Sequence, residues 1–133
     1  MISLLYRAAD AVRRRKLRDN HGRLGEDLAH RYLRSRGCTI VARNYRPRAG
    51  AGEIDLVAWQ SGRLLFIEVK TRATADFGAP ETAVDLEKRE SLRHAARDYA
   101  RRADIVWART RFDIVSIILE PTRKIEWLQD AFR

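Results

Sequence analysis

Two apolar segments joined by a Ser-Gly pair constrain the fold of this chain more than any other feature. Residues 52–59 and 63–70 contain runs rich in Val, Ile, Leu and aromatic side chains, and Ser61 and Gly62 lie between them. This pattern predicts a β-hairpin in which Gln60 faces Arg63. A four-residue loop would keep the same pairing, whereas a three-residue loop would break it. Because both strands are apolar on both faces, we expect central strands that are covered on each side.

The same register predicts a pair of neighbouring acids. Counting back from the loop sets Asp55 opposite Glu68, and Glu53 opposite Lys70. Like charges on facing residues destabilise a sheet or raise the pKa of one carboxyl, and a divalent cation between them removes the repulsion. Mg²⁺ prefers such oxygen ligands. Lys70 follows Glu68 by two residues and therefore shares its face, so the group is suited to hold a metal, a phosphodiester and a water.

A simpler interpretation of the same residues exists. Glu53 and Lys70 would form an ordinary cross-strand ion pair, and Asp55 and Glu68 would point to solvent at a strand end. We favour the metal site because the spacing, the hairpin register and the apolar flanks agree.

The charge of the chain is concentrated in its first third. The formal net charge is +9, and residues 1–48 contain 13 Lys/Arg against 4 Asp/Glu, whereas residues 49–133 contain 14 of each. A concentrated positive surface favours a polyanionic partner, most often nucleic acid. Charge alone does not separate RNA, DNA and anionic lipid, and a merely solvated surface is the alternative.

Length and composition narrow the class of protein. A chain of 133 residues is expected to form one domain, here residues 20–133, preceded by a basic N-terminal extension over residues 1–19. No apolar run approaches the length of a membrane span, and no secretory signal is recognised. The single cysteine, Cys38, is expected to be a buried small hydrophobe in a cytoplasmic protein.

The remaining helices and strands are predicted from the periodicity of apolar residues and from the residues that typically begin or end such elements. We predict a helix from Asn20 to Gly37 with Leu24, Leu28, Tyr32 and Leu33 in its core stripe. Gly22 and Gly25 on that face would bring Glu26 near the sheet, although a solvated edge charge is an equal alternative. A second helix is predicted over about residues 81–102, with Lys88 either inward or at the surface. Strands are predicted over residues 39–44, 112–119 and 125–128, with Asp113 structural.

These residues resemble the PD-(D/E)xK nuclease superfamily and, within it, the bacterial UPF0102 group, which is similar to archaeal Holliday-junction resolvases. The resemblance rests on short segments at residues 25–29, 43–46, 52–57, 66–72, 77–80, 111–113 and 131–132. It implies a restriction-endonuclease-like α/β fold, a mixed central β-sheet flanked by helices on both faces. The basic start is a departure from the group's usual compact start.

The resemblance also implies roles for individual residues. Asp55 and Glu68 would bind Mg²⁺ or Mn²⁺ with help from the Val69 carbonyl, and Lys70 would activate water. Glu26 would influence the metal site without contacting the first ion, or it would hold a second ion. The residues expected to contact nucleic acid are Arg43, Arg46, Arg48, Arg72 and Lys88.

The predicted function is that of a metal-dependent endonuclease that hydrolyses phosphodiester bonds in nucleic acid. We expect the substrate to be DNA of branched or otherwise distorted structure, and a homodimer is conceivable because such substrates are symmetric. The alternative is a non-catalytic nucleic-acid-binding module on a nuclease scaffold. A membrane-surface or docking role for residues 1–18 is a minor third hypothesis.

Overall fold

A five-stranded mixed sheet forms the centre of the protein in the computed structural model, which describes residues 22–75 and 85–133. The strands are β1 (Thr39–Tyr45), β2 (Ile54–Gln60), β3 (Arg63–Thr74), β4 (Thr110–Glu120) and β5 (Lys124–Phe132). They lie side by side in chain order, and every pair is antiparallel except the parallel pair β3–β4. The sheet is therefore mixed, as predicted.

Two α-helices lie within the described ranges. Residues 22–35 are helical and are called α1, and α2 spans Leu86–Arg102. Because parallel neighbours need a crossover connection, the chain between β3 and β4 contains α2 and a short 3₁₀ turn at Trp107–Arg109. This α/β architecture is consistent with a restriction-endonuclease-like fold. Neither described helix is long and apolar enough to cross a bilayer.

The sheet has an apolar core on each face. On one face, Val57 and Phe66 pack with the α2 residues Leu92 and Ala96. On the other face, Leu56 and Ile67 pack with residues of α1, among them the fully buried Ala29 and Leu33. Each large apolar side chain buried in this way stabilises the fold by about 1.5–3 kcal/mol. The prediction that the hairpin strands are covered on both faces is confirmed.

Two glycines permit close approach between elements. A Cβ built at Gly25 would overlap the hydroxyl of Thr71, so α1 lies directly against the end of β3. Gly52 has φ +115°, and a Cβ there would overlap the main-chain oxygen of Ser91 on α2. The first contact confirms the predicted close approach for Gly25, whereas Gly22 has no atom within 4 Å of where its Cβ would lie.

The predicted ends of α2 and β5 were partly wrong. The helix α2 begins at Leu86 and not near residue 81, because Asp85 has extended backbone angles and its side chain accepts a hydrogen bond from the Lys88 N–H at 2.8 Å. The last strand continues to Phe132, whose ring stacks on Phe112 with 4.7 Å between centroids. The predicted N-terminal extension and the Asn20 cap lie outside the described residues.

The core stripe of α1 differs from the prediction at one position. Leu24 is 37% exposed, whereas Ala29 and Leu33 are fully buried. The contact of Gly25 with β3 sets this rotation, since Gly25, Ala29 and Leu33 recur every four residues.

Two polar predictions are confirmed. Cys38 is buried. Asp113 is fully buried and structural: its carboxylate accepts hydrogen bonds from the Arg111 guanidinium at 2.8 and 2.9 Å, from Trp127 Nε1 at 2.9 Å and from the Asp130 N–H at 2.9 Å.

Candidate active site

Asp55 and Glu68, here called the carboxylate pair, lie on adjacent strands. The β2–β3 ladder runs from Gln60–Arg63 to Leu56–Ile67, which confirms the predicted register, and one further step sets Asp55 beside Glu68. Ser61 and Gly62 both have positive φ, as a type I′ hairpin turn requires. Both acids share the sheet face that carries Val57 and Phe66, which is the face covered by α2.

The backbone of β3 holds the Asp55 carboxylate in place. The Val69 N–H donates to Asp55 Oδ2 at 2.8 Å. Burial raises the pKa of Asp55 to about 8, the charge of Glu68 adds to this increase, and the Val69 hydrogen bond opposes it. The pair is therefore costly to ionise fully without a positive charge beside it.

A lysine from α2 contacts the second acid. Glu68 is 6% exposed, and Lys88 Nζ lies 2.5 Å from its Oε1. The Asp85 cap fixes the first turn of α2, from which Lys88 reaches the sheet. Burial lowers the pKa of the Lys88 ammonium, but the hydrogen bond and charge of Glu68 outweigh this and raise it overall. Of the two predicted placements of Lys88, the inward one is observed.

Lys70 lies beside the carboxylate pair at an open cavity. This cavity has a volume of about 380 Å³ and is lined by Glu68, Lys70, Arg72, Lys88 and Ser116, among others. Lys70 pairs in register with Ser116 of β4 and follows Glu68 on the same face. The structure therefore brings acid and lysine together at one opening, as the sequence predicts.

Glu26 lies near the pair but in a different network. Its carboxylate accepts a hydrogen bond from Asn44 Nδ2 at 3.0 Å and lies 3.7 Å from Arg43. Burial raises the pKa of Glu26, while Arg43 lowers it. Its charge also raises the pKa of Asp55. Over residues 22–75 and 85–133, no group of three or more His, Cys, Asp or Glu side chains is arranged to hold a metal ion.

Glu53 does not pair with Lys70 across the hairpin. The strand β2 begins one residue later, at Ile54. The Glu53 carboxylate instead pairs with Arg46 at 2.9 Å.

The remaining basic residues predicted to bind nucleic acid have different environments. Arg43 donates to Asp27 at 2.8 Å. Arg46 is engaged by Glu53, Arg48 is exposed in the same loop, and Arg72 lines the cavity. Because Arg43 and Arg46 are engaged by acids whereas Arg48 is exposed, a uniform role for the set does not follow from their placement.

Sequence reasoning missed a group of arginines on α2. They recur at every fourth residue and are here called the arginine row: Arg89, Arg93, Arg97 and Arg101. The missed signal was this i, i+4 spacing, which places residues on one side of a helix. The Lys88–Glu68 ion pair was also not predicted, because their sequence separation hides the contact.

The fold and the paired acids define an α/β protein with a mixed sheet and a carboxylate pair, of which the buried Glu68 lines a polar cavity. Residues 25–117 match the family described as "Uncharacterised protein family UPF0102". The chain belongs to this family.

Individual UPF0102 proteins are similar to this chain over most of its length. A UPF0102 protein of Solibacter usitatus is 70% identical over 132 residues, covering 99% of this chain and 100% of the relative. One of Koribacter versatilis is 48% identical over 112 residues, covering 84% of this chain and 78% of the relative. One of Dictyoglomus turgidum is 40% identical over 114 residues, covering 84% and 95%.

Proposed function

We propose that this protein is a metal-dependent endonuclease that hydrolyses phosphodiester bonds in DNA, with branched or otherwise distorted DNA as its substrate. The observation that carries this proposal is the carboxylate pair, Asp55 and Glu68, on adjacent strands beside Lys70. The resemblance to PD-(D/E)xK nucleases supports the same reaction.

The donor atoms suit Mg²⁺ or Mn²⁺. The Asp55 and Glu68 carboxylates supply the hard oxygen ligands that these ions take, and the cavity lined by Glu68 has room for water and phosphate. The raised pKa of Asp55 supports this fit, because burial and Glu68 make two negative charges unfavourable there without a cation. Asp55 and Glu68 would hold the ion, with the Val69 carbonyl as a further ligand. When bound, it would lower the pKa of a water and offset phosphate charge.

The two lysines of the site would have different roles. Lys88 holds the Glu68 carboxylate in position in the metal-free protein through the 2.5 Å ion pair. Lys70 lies on the same face, where its ammonium would orient the attacking water and offset the charge that develops on the phosphate oxygens. Glu26 would influence the site indirectly, because its charge raises the pKa of Asp55.

The positive charge of the chain supports a nucleic-acid substrate. The net charge of +9 favours a polyanion, and contacts to phosphates position a strand without reading its sequence. The exposed Arg48 lies in the loop before β2, the strand that carries Asp55.

Cleavage assays test the proposal. Purified protein would be incubated with Mg²⁺ or Mn²⁺ and linear, nicked, flapped, junction and single-stranded DNA. We expect metal-dependent cleavage, strongest on a branched substrate, and its loss in Asp55→Asn and Glu68→Gln. Arg34→Ala, an exposed change on α1, serves as the control and should retain activity. Cleavage that survives both carboxylate changes would refute the assignment.

The second candidate is a nucleic-acid-binding module without catalysis. The observation that favours it is the Lys88–Glu68 ion pair, which satisfies one acid without a metal ion. This candidate predicts salt-sensitive binding, no turnover with either metal, and unchanged or tighter binding in Asp55→Ala. Weaker binding in that variant would count against it.

A further inference from the structure

We propose that the arginine row on α2 is the track along which a nucleic-acid backbone extends away from the carboxylate pair. The inference rests on the proposed function for the choice of nucleic acid as the polyanion. It assigns a binding surface outside the set of residues that the sequence predicts.

The row starts beside the candidate active site. Lys88, which contacts Glu68, directly precedes Arg89 in the first turn of α2. At a rise of 1.5 Å per residue, successive members of the row are about 6 Å apart along the helix axis, and Arg89 and Arg101 are about 18 Å apart. The four guanidinium groups are thus spaced along a line that begins at the carboxylates.

Aromatic and main-chain contacts hold three of these side chains in place. The Arg89 guanidinium lies 5.6 Å from the centroid of the Phe132 ring, and that of Arg97 lies 4.6 Å from the centroid of Trp107. Arg93 donates to the main-chain oxygen of Arg133 at 2.5 Å. A guanidinium stacked on a ring keeps its N–H groups directed outward in the plane, where they bind phosphate oxygens.

Acidic neighbours are sparse along the middle of the row. Within the described ranges, no side-chain carboxylate forms an ion pair with Arg93 or Arg97, whereas Arg101 lies 3.8 Å from Asp98. Asp98 is also engaged by Arg102 at 3.1 Å. The charge of Arg97 therefore remains for an outside anion, and Arg93 retains further N–H groups beside the one that donates to the Arg133 main-chain oxygen.

A basic cavity lies beside the middle of the row. It has a volume of about 500 Å³, and its lining includes Arg63, Arg93, Arg97, Arg111 and Arg133. Two acids reduce this charge: Asp113 is bound to Arg111, and Asp130 lies 3.6 Å from Arg133. Among the described residues, no acidic side chain forms an ion pair with the other three arginines of the lining, so a positive field is concentrated at this end of the sheet.

The linear arrangement favours a polymer over a small anion. A single phosphate is bound by groups that converge on one point, whereas the row extends over about 18 Å, which corresponds to about five base-pair steps at 3.4 Å each. The backbone on one side of the scissile position would follow α2 for that length.

Binding measurements separate this track from cleavage. The full chain would carry Asp55→Asn to prevent cleavage, and fluorescence anisotropy with labelled duplex and branched DNA would be recorded from about 50 to about 300 mM salt. The test variant is R93Q/R97Q, which retains most of each apolar stem. The matched control is R34Q/R123Q, which removes the same charge at two exposed positions away from α2. R93K/R97K restores charge and tests for a purely structural effect.

The expected results are specific to the row. R93Q/R97Q should weaken binding by at least about tenfold at low salt and reduce the slope of log affinity against log salt by about one to two. The control double variant should change affinity less than about threefold, and R93K/R97K should recover most of the binding. Shortening the duplex by about five base pairs on one side only should reproduce the loss.

The outcomes distinguish the two proposals. If no substrate is cleaved by the wild type but R93Q/R97Q still weakens binding selectively, the endonuclease proposal fails and the track stands. Equal affinities and salt slopes for the test and control variants would overturn the track, even if the enzyme cleaves DNA. Loss of binding to phosphatidylserine vesicles but not to DNA would also overturn it, in favour of a lipid surface.

Discussion

Replacing Asp55 with Asn should stabilise the metal-free protein, and the gain should grow with pH. The substitution removes a charge but keeps an oxygen that accepts the Val69 N–H. Because burial and Glu68 raise the pKa of Asp55 from 3.8 to about 8, the folded protein retains a proton that the unfolded chain releases. Stability is therefore lost as the pH rises from about 4 to about 8.

The magnitude follows from the two pKa values. At pH 7, keeping a proton on an acid of ordinary pKa 3.8 costs at most about 4 kcal/mol, whereas at pH 5 the same cost is about 1.5 kcal/mol. Side chains around the site relax in response to charge, so we expect Asp55→Asn to gain about 2–4 kcal/mol at pH 7 and under about 1.5 kcal/mol at pH 5.

Urea denaturation in EDTA measures this difference. Trp59, Trp107 and Trp127 provide the fluorescence signal, and the titrations would be run at about pH 5 and pH 7. Glu90→Gln, which removes an exposed negative charge on α2, should change stability by less than about 0.5 kcal/mol at both pH values.

Metal provides the second half of the test. Mg²⁺ or Mn²⁺ at a hundred times its dissociation constant should stabilise the wild type by about 2.7 kcal/mol and the Asp55→Asn variant by much less. A gain in EDTA that does not depend on pH, or a variant less stable than the wild type, would refute the idea that repulsion in the carboxylate pair weakens the metal-free fold.

Three further predictions concern single contacts. Gly25→Ala should destabilise the fold by about 1–3 kcal/mol in thermal denaturation, because the new methyl group overlaps Thr71. The control, Gly22→Ala, has no atom within 4 Å of the new methyl group and should be neutral or stabilising. Equal effects of the two changes would contradict the close contact at Gly25. Lys88→Gln should tighten Mn²⁺ binding measured by calorimetry, because the Lys88 ammonium no longer competes with the ion for Glu68. Weaker binding in this variant would show that Lys88 instead prepares Glu68 for the metal. Asp113→Ala should lower the free energy of unfolding by about 3–5 kcal/mol in urea denaturation, because it leaves the Arg111 guanidinium unpaired. A decrease below about 1 kcal/mol would contradict the structural role of Asp113.

The sheet was the part of the fold most accessible from the sequence. The β2–β3 register was predictable because Ser61-Gly62 fixes the loop and because a slip of one residue would turn the apolar side chains to the wrong face. The helix ends were less accessible: Asp85 caps α2, but the apolar periodicity alone did not place its start. Similarly, Leu24 fits the apolar stripe of α1, yet the contact between Gly25 and Thr71 rotates it toward solvent.

The candidate site was predictable in its local part only. Asp55, Glu68 and Lys70 follow from strand period and hairpin register, which are properties of adjacent segments. The pairing of Lys88 with Glu68 depends on how the crossover places α2 over the sheet, and the pairing of Glu26 with Asn44 depends on how α1 approaches β1. Neither arrangement is encoded in a local spacing.

The tight seating of the 46–53 loop has a consequence for protein engineering. Gly52 lies against the Ser91 main-chain oxygen, and His94 Nε2 is 2.8 Å from the Ala49 main-chain oxygen. Surface connections usually accept extra residues, but an insertion here would lift the loop from Ser91 and His94 and disturb its contact with α2, the helix that carries Lys88. Tags and inserted domains are therefore better placed at the exposed Pro121-Thr122 connection between β4 and β5. This connection is distant from the 46–53 loop in sequence and belongs to neither helix.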